Sequence, residues 1–300
     1  MNQKYVLISP CRNEAVHLRQ TLDSVLAQSI RPAKWLIVDD GSTDATPAIL
    51  ADYAKRHHWI EIVTRTDRGH RAVGPGVVEA FYTGYERINP DDYDYLCKLD
   101  VDLRLPPRYF EILMEHMAVN PRIATCSGKA YLEVGGRLIP ETHGDDTSLG
   151  MTKFYRVSCF KAIGGFVREV MWDGIDCHRC RMNGWVAVSW DEPELRFVHL
   201  RPVGSSQESV YAGRIRSGYG QYFMGTGFWF IAASAIYRLN DKPYVLGSLA
   251  MLWGWLKSAL QRKPRYEDEQ FRKFLRRYHW RALLVGKKRA VEEIHRRAAI

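Results

Sequence analysis

The chain has 300 residues, 46% of them apolar and 26% charged, enough to bury a large core without disulfide staples. That apolar content excludes a disordered chain, and Gly and Pro follow no repeat, which excludes collagen-like and low-complexity classes. The net charge of +9 is confined to one end: residues 257–300 carry fourteen Lys and Arg against five Asp and Glu, while the rest of the chain carries twenty-nine of each sign.

Strand and helix patterns alternate through the first hundred residues. Tyr5–Ser9 is a short apolar run that predicts a buried strand, and Asn13–Gln28 carries Val16, Leu18, Leu22, Val25 and Leu26 at helical spacing. Trp35–Val38 predicts a second strand, closed by Asp39-Asp40-Gly41-Ser42. Thr43–Arg56 predicts a helix with Ser42 or Thr43 as N-cap and Pro47 near its start. Ile60–Thr64 predicts a third strand, Val77–Ile88 a helix and Tyr93–Leu99 a fourth strand. This alternation predicts an α/β fold with a mainly parallel sheet covered by helices. In such sheets ligands bind at the carboxyl ends of the strands, where the polar clusters after strands one, two and four fall. Beyond these, Pro106–Val119 predicts a helix, Arg122–Leu132 a strand, and Val186–Trp190 and Glu194–His199 two more short strands. The character changes near residue 205.

Lys98-Leu99-Asp100-Val101-Asp102 is the sharpest chemical signal. Alternate residues of an extended chain project to one side, so two carboxylates are aimed at one point past a buried strand. Hard oxygen ligands in that arrangement suit Mg²⁺ or Mn²⁺ holding a diphosphate. Asp40 sits at a strand end, where a carboxylate can accept hydrogen bonds from a base or ribose, while Gly41, Ser42 and Thr43 also suit a plain turn and helix cap. Arg65–Gly76 is a basic, glycine-rich loop in which Arg68 or Arg71 can face phosphate or sugar. Its Gly74-Pro75-Gly76 is no dinucleotide fingerprint, because Glu79 stands where the third glycine belongs. Cys177-His178-Arg179-Cys180 has zinc or redox spacing but lacks a second pair, so the spacing is incidental. The six cysteines are scattered and predict reduced thiols in the cytosol. The apolar run at the start is too short for a secretory leader.

Ser9-Pro10-Cys11-Arg12-Asn13-Glu14, then Val38-Asp39-Asp40-Gly41-Ser42-Thr43-Asp44, then Asp100-Val101-Asp102, at these separations, resemble the inverting family 2 glycosyltransferases of the GT-A fold. The resemblance covers roughly residues 4–200. It implies a catalytic domain over 1–205, with a nucleotide-sugar half at 1–105 and an acceptor half at 106–205, and a C-terminal extension over 206–300. It implies Pro10, Asn13 and Glu14 near the base or ribose, Asp40 on uracil, and Asp100 and Asp102 handling ribose, metal and diphosphate. Trp172-Asp173-Gly174-Ile175-Asp176 looks like the family's Gly-Glu-Asp segment, with Ile175 where Glu is usual. On that match Asp176 is the catalytic base and Arg181 a helix arginine five residues on. Asp173 holds the acceptor or competes for the base role, and Trp172 stacks on a sugar or belongs to the core. His199 resembles the histidine that closes the metal site in many relatives, and Arg201 can neutralise the leaving diphosphate.

Ser217–Tyr237 and Tyr244–Leu256 carry no charge and are rich in aromatic residues. With the basic tail they predict helices lying on an anionic cytoplasmic leaflet, with a hairpin packed on the catalytic domain or in a dimer as the other reading. No motif supports nucleic acid as the partner of the tail. The expected activity is sugar transfer from a nucleoside diphosphate sugar, a UDP-sugar by expectation, to a glycan or polyprenyl-linked acceptor, at the inner membrane face. The alternatives are a glycoside hydrolase with paired carboxylates or a non-catalytic anion-binding protein.

Overall fold

The computed structural model describes residues 3–67, 69, 74–141, 144–201, 210–240 and 244–297. The chain divides into two compact units, Met1–Arg168 with Trp185–Arg201, and Glu169–Gly184 with Pro202–Ile300.

The first unit opens with β1 (Tyr5–Cys11), α1 (Leu18–Leu26), β2 (Lys34–Asp39), α2 (Thr46–Arg56), β3 (Ile60–Thr64), α3 (Pro75–Tyr85) and β4 (Tyr95–Leu99). It continues with β5 (Leu103–Arg104), α4 (Tyr109–Val119), β6 (Ile123–Ser127), β7 (Lys129–Val134), β8 (Arg137–Pro140), β9 (Thr152–Arg156), α5 (Val157–Ala162), β10 (Val186–Ser189) and β11 (Arg196–His199). Seven strands make the main sheet in the order β10-β6-β9-β4-β1-β2-β3, and four make a smaller sheet, β5-β11-β7-β8. β1 lies between β2 and β4, parallel to both. Its neighbours on either side are buried, which is why Tyr5–Ile8 and Trp35–Val38 read as continuous apolar runs rather than alternating ones.

The structure departs from these expectations in three places. The strand expected over Arg122–Leu132 is two strands in two sheets. The chain crosses between them at Gly128, where a Cβ would lie 1.8 Å from the Leu195 carbonyl oxygen. Only a residue without a side chain permits that approach. Gly128→Ala is therefore expected to cost about 3 kcal/mol or more of stability, read as a lowered midpoint in thermal unfolding. Strand β9 is the second: the sequence predicts no strand over Thr152–Arg156, yet it runs antiparallel between β4 and β6 in the middle of the main sheet. The cap of α2 also differs. The helix begins at Thr46, not Thr43, with Ala45 rather than Ser42 or Thr43 at the N-cap, and Thr46 N–H donates to Asp44 Oδ1 at 2.9 Å.

The second unit is helical: α6 (Trp172–Met182), α7 (Val210–Met224), α8 (Phe228–Tyr237), α9 (Tyr244–Leu260), α10 (Glu269–Val285) and α11 (Lys287–Arg297). The first uncharged stretch is broken at Gly225, whose φ is +92°, so it forms parts of two helices rather than one. Its glycines are packing devices. A Cβ on Gly218 would lie 2.0 Å from Met251 O, and one on Gly254 2.1 Å from Ile215 O, so the backbones of α7 and α9 touch. Trp255 Nε1 donates to Thr226 O at 3.0 Å and pins the turn between α7 and α8. The outward faces remain apolar: Trp229 and Ile236 on α8, and Leu246, Leu249, Trp253 and Leu260 on α9, are exposed. Among the described residues no helix is long and apolar enough to cross a membrane.

Candidate active site

The carboxyl ends of β1, β2 and β4 carry the acidic clusters, and hydrogen bonds tie the loops there together. Asn13 adopts a left-handed φ of 52°, which Asn tolerates better than most residues. Its backbone N–H donates to Ser42 Oγ at 2.9 Å, and its Oδ1 accepts from Thr43 N–H at 2.8 Å. Glu14 N–H donates to Thr46 Oγ1 at 2.8 Å. Gly41 has φ +73°, and a Cβ there would lie 2.4 Å from Asp67 Cα, so the turn after β2 demands glycine twice over.

Asp40 is buried at the end of β2. Arg65 Nη1 meets its Oδ1 at 2.7 Å, and Arg12 Nη1 donates to its carbonyl oxygen. Arg12 Nη2 reaches Asp67 Oδ1 at 2.6 Å. Two guanidinium groups thus lie against Asp40. Arg71 lies outside the described residues, as does Arg68.

Past β4, Asp100 and Asp102 lie in a bend that carries the chain from the main sheet to β5. The premise of an extended segment with both carboxylates aimed alike is corrected: the two have different partners. Lys98, buried on β4, places Nζ 2.5 Å from Asp100 Oδ1 and donates to Gly150 O at 2.8 Å. Asp100 keeps a third of its side chain exposed. Asp102 is buried. Its Oδ2 receives Arg201 Nε at 2.7 Å and lies 3.6 Å from His199 Nε2. Against the opposing effect of burial, His199 and Arg201 hold the Asp102 carboxyl at about 2. His199 closes β11, with Nδ1 3.1 Å from Glu141 Oε2. Burial would lower its pKa, but Asp102 and Glu141 on either side of the ring raise it to about 9. Arg201 also reaches Glu14 Oε1 at 2.7 Å, so one guanidinium joins the loop after β1 to the bend after β4. Replacing Arg201 with Gln should cost about 3–5 kcal/mol, because two buried carboxylates lose their shared cation. Denaturant unfolding measures this, with Arg201→Lys expected to recover part of the loss.

Among the described residues no three His, Cys, Asp or Glu side chains form a ready-made metal cluster. One observation nevertheless fits a cation: Asp102 Oδ1 is buried and has no hydrogen-bond partner. A carboxylate oxygen with no donor in a dry position is costly unless something positive meets it. Mg²⁺ and Mn²⁺ are commonly bound by one or two carboxylates plus substrate phosphates, so a complete protein cage is not required.

The second unit holds Trp172, Asp173, Asp176 and Arg181, all on α6. The helix opens at Trp172, so Asp173 is in its first turn and Asp176 lies a turn further in. Asp176 is buried, and its Oδ1 accepts from Cys177 N–H at 2.7 Å. Arg181 is buried over the Tyr278 ring, 5.9 Å from the centroid, with Nη1 3.1 Å from His178 Nδ1. Cys177 and Cys180 are buried free thiols, as are the other four cysteines. Reading the sequence assigned no role to Lys98 and missed Glu141. Lys98 left a signal, a charge two residues before Asp100 inside an apolar run; Glu141 left none.

A mainly parallel sheet with its acidic loops at the strand ends, beside a second small sheet, is the architecture of a GT-A glycosyltransferase. The chain belongs to glycosyl transferase family 2, whose family model matches residues 6–169. It is 27% identical over 119 residues to the poly-beta-1,6-N-acetyl-D-glucosamine synthase of Staphylococcus epidermidis, a match spanning 39% of this chain and 26% of that protein. The chain therefore matches about a quarter of the length of that curated relative. Among solved structures, a mannosyltransferase from Pyrobaculum calidifontis in complex with GDP-Man and Mn²⁺ aligns over 99% of this chain and 86% of its own, at TM-score 0.53 and 18% identity. S. aureus TarS in complex with UDP-GlcNAc aligns over 99% of this chain and 90% of its own, at TM-score 0.51 and 16% identity. Both likenesses are of fold. Family membership makes the chain a glycosyltransferase and sets aside the hydrolase and the non-catalytic reading.

Proposed function

We propose that the protein transfers a sugar, with inversion, from a nucleoside diphosphate sugar to a hydroxyl of a glycan or lipid-linked acceptor in cell-surface polysaccharide or glycolipid synthesis. UDP is the proposed nucleotide, with Asp40 on uracil and Pro10, Asn13 and Glu14 shaping the base and ribose end. The observation that carries the reading is Asp102: a buried, ionised carboxylate between Arg201 and His199 with one oxygen unpartnered. In this reading residues 1–205 are the catalytic region, 1–105 serving the donor and 106–205 the acceptor, and 206–300 form the extension.

Asp102, Asp100 and, once it has given up its ring proton, His199 would hold Mn²⁺ or Mg²⁺ together with the donor diphosphate, and the cation would supply Lewis-acid neutralisation of the leaving group. Arg201 stands by as a second positive group for the departing diphosphate, and Lys98 keeps Asp100 oriented. Asp176 takes the proton of the acceptor hydroxyl as its oxygen bonds to the anomeric carbon. The bond from that carbon to the diphosphate oxygen breaks in the same displacement, and nucleoside diphosphate leaves. Trp172 and Asp173 receive the acceptor, and Arg181 braces α6 through Tyr278. A thermal-shift screen of UDP-, GDP- and dTDP-sugars with Mn²⁺ tests the donor assignment; stabilisation by GDP-sugars alone would remove uracil from Asp40.

The exposed apolar faces of α8 and α9, together with the basic residues 257–300, support a peripheral position on the anionic inner face of the plasma membrane. Such a position suits a polyprenyl-linked acceptor. The intact protein is expected to float with anionic vesicles and to release in high salt; no flotation at any salt concentration would remove the membrane from the proposal.

A further inference from the structure

A cavity of about 50 Å³ opens between α8 and α10, walled by Trp229, Phe230, Trp280 and Leu283, with Arg276 and His279 supplying its polar groups. It is too small for a nucleoside, and no carboxylate lines it. Phe230 lies flat on the His279 ring, with centroids 3.6 Å apart and planes 11° apart. His279 is 5% exposed and its Nδ1 has no hydrogen-bond partner. Burial, with a smaller push from Lys287, lowers its pKa to about 3, so the ring is neutral. His279 therefore adds a neutral, largely apolar wall beside Phe230 rather than a charge. The rim is different in kind. Trp229 and Trp280 are 66% and 55% exposed. Among the described residues no carboxylate lies within ion-pair distance of Arg276, whose Nε donates to Arg272 O at 3.3 Å and which feels Glu269 only from further off, whereas the nearby Lys273 and Arg281 are directly engaged by Glu269 and Glu293. Tryptophan beside an arginine without a direct ion pair is the chemistry of a membrane's headgroup layer.

We infer that this cavity seats the phosphodiester of one anionic phospholipid on Arg276, with the rest of the headgroup outside it and the glycerol end against Trp229, Trp280 and Leu283. The inference rests on the membrane reading above and adds to it a defined site: the lipid is held by shape and hydrogen bonding and not by the charge of the tail alone.

Flotation of the full chain with vesicles of phosphatidylglycerol diluted in phosphatidylcholine tests it. Arg277 is exposed one residue away on the same helix and does not line the cavity. Arg277→Gln is expected to lower the partition coefficient about fivefold, the effect of one bulk charge. Arg276→Gln is expected to lower it about fiftyfold, since a charge-assisted hydrogen bond is lost as well. Trp280→Ala, which changes no charge, should lower it about tenfold. Equal losses in the two arginine variants, with none in Trp280→Ala, would overturn the site while leaving the membrane reading intact. A wild type that never floats would overturn both. Release from vesicles by inorganic phosphate, at an ionic strength where chloride has no effect, would assign the cavity to free phosphate and overturn the lipid. A concentration-dependent dimer dissolved by Trp280→Ala would assign the face to a second copy of the chain, with the same consequence.

Discussion

Asp102→Asn is expected to remove metal-dependent donor binding and to lower transfer by about a hundredfold to a thousandfold, the range for losing one preorganised electrostatic contact to developing charge. The substitution keeps the side-chain volume, so packing at the bend between β4 and β5 is preserved. It removes the charge that meets Arg201 at 2.7 Å and faces His199 at 3.6 Å. The amide places an N–H₂ donor where one carboxylate oxygen stood, and no cation can be shared there with a diphosphate. Titration calorimetry with a nucleoside diphosphate sugar, with and without Mn²⁺, reads the binding directly. Donor affinity that stays tight and metal-dependent in this variant would take Asp102 out of the site. Denaturant unfolding separates the two effects, because Arg201 and His199 lose part of their compensation and the fold should weaken as well.

Asp176→Asn is expected to act on the chemistry alone. An amide cannot take up the acceptor proton, and loss of a positioned base lowers turnover by about two to four orders of magnitude. Donor affinity should remain as in the wild type, since Asp176 is assigned no contact to the donor. Asp173 is the internal comparison. It lies in the first turn of α6, one turn before Asp176, and Asp173→Asn should raise the acceptor KM while retaining most of kcat. The reverse pattern, with full turnover in Asp176→Asn and none in Asp173→Asn, would exchange the two roles.

The parallel core was legible because a strand covered on both faces is nearly continuous in apolar residues, as Tyr5–Ile8 and Trp35–Val38 are and as β4 is apart from Lys98. Strand β9 was not, since Thr152–Arg156 carries Lys153 and Arg156 inside a short segment. Lys153 is nonetheless fully buried, and no pattern of alternate residues announces a buried lysine. The split of the Arg122–Leu132 run turned on one close backbone approach, at Gly128. A lone glycine in a strand pattern signals such an event without saying which element comes near.

Residue types pointed to Asp40 and Asp102 and the family resemblance to His199, but neither indicated which side chains they meet. Asp102 and His199 are tied by the small sheet, in which β5 and β11 are neighbours. That pairing depends on tertiary topology, which local spacing does not encode. The same limit applies to Glu141, which reaches His199 from the segment after β8. The opposite case is Lys98: its position relative to Asp100 is a local fact of strand geometry, and the ion pair follows from it.

The Arg201 to Glu14 contact joins residues 187 positions apart, and this bears on how the molecule is made. Translation delivers the first strands long before the last. As the nascent chain leaves the ribosome, the acidic bend waits without its guanidinium partner until residue 201 has emerged and closed a very long loop. Competence to hold the donor should therefore arrive late, in a single step, after most of the sheet has formed.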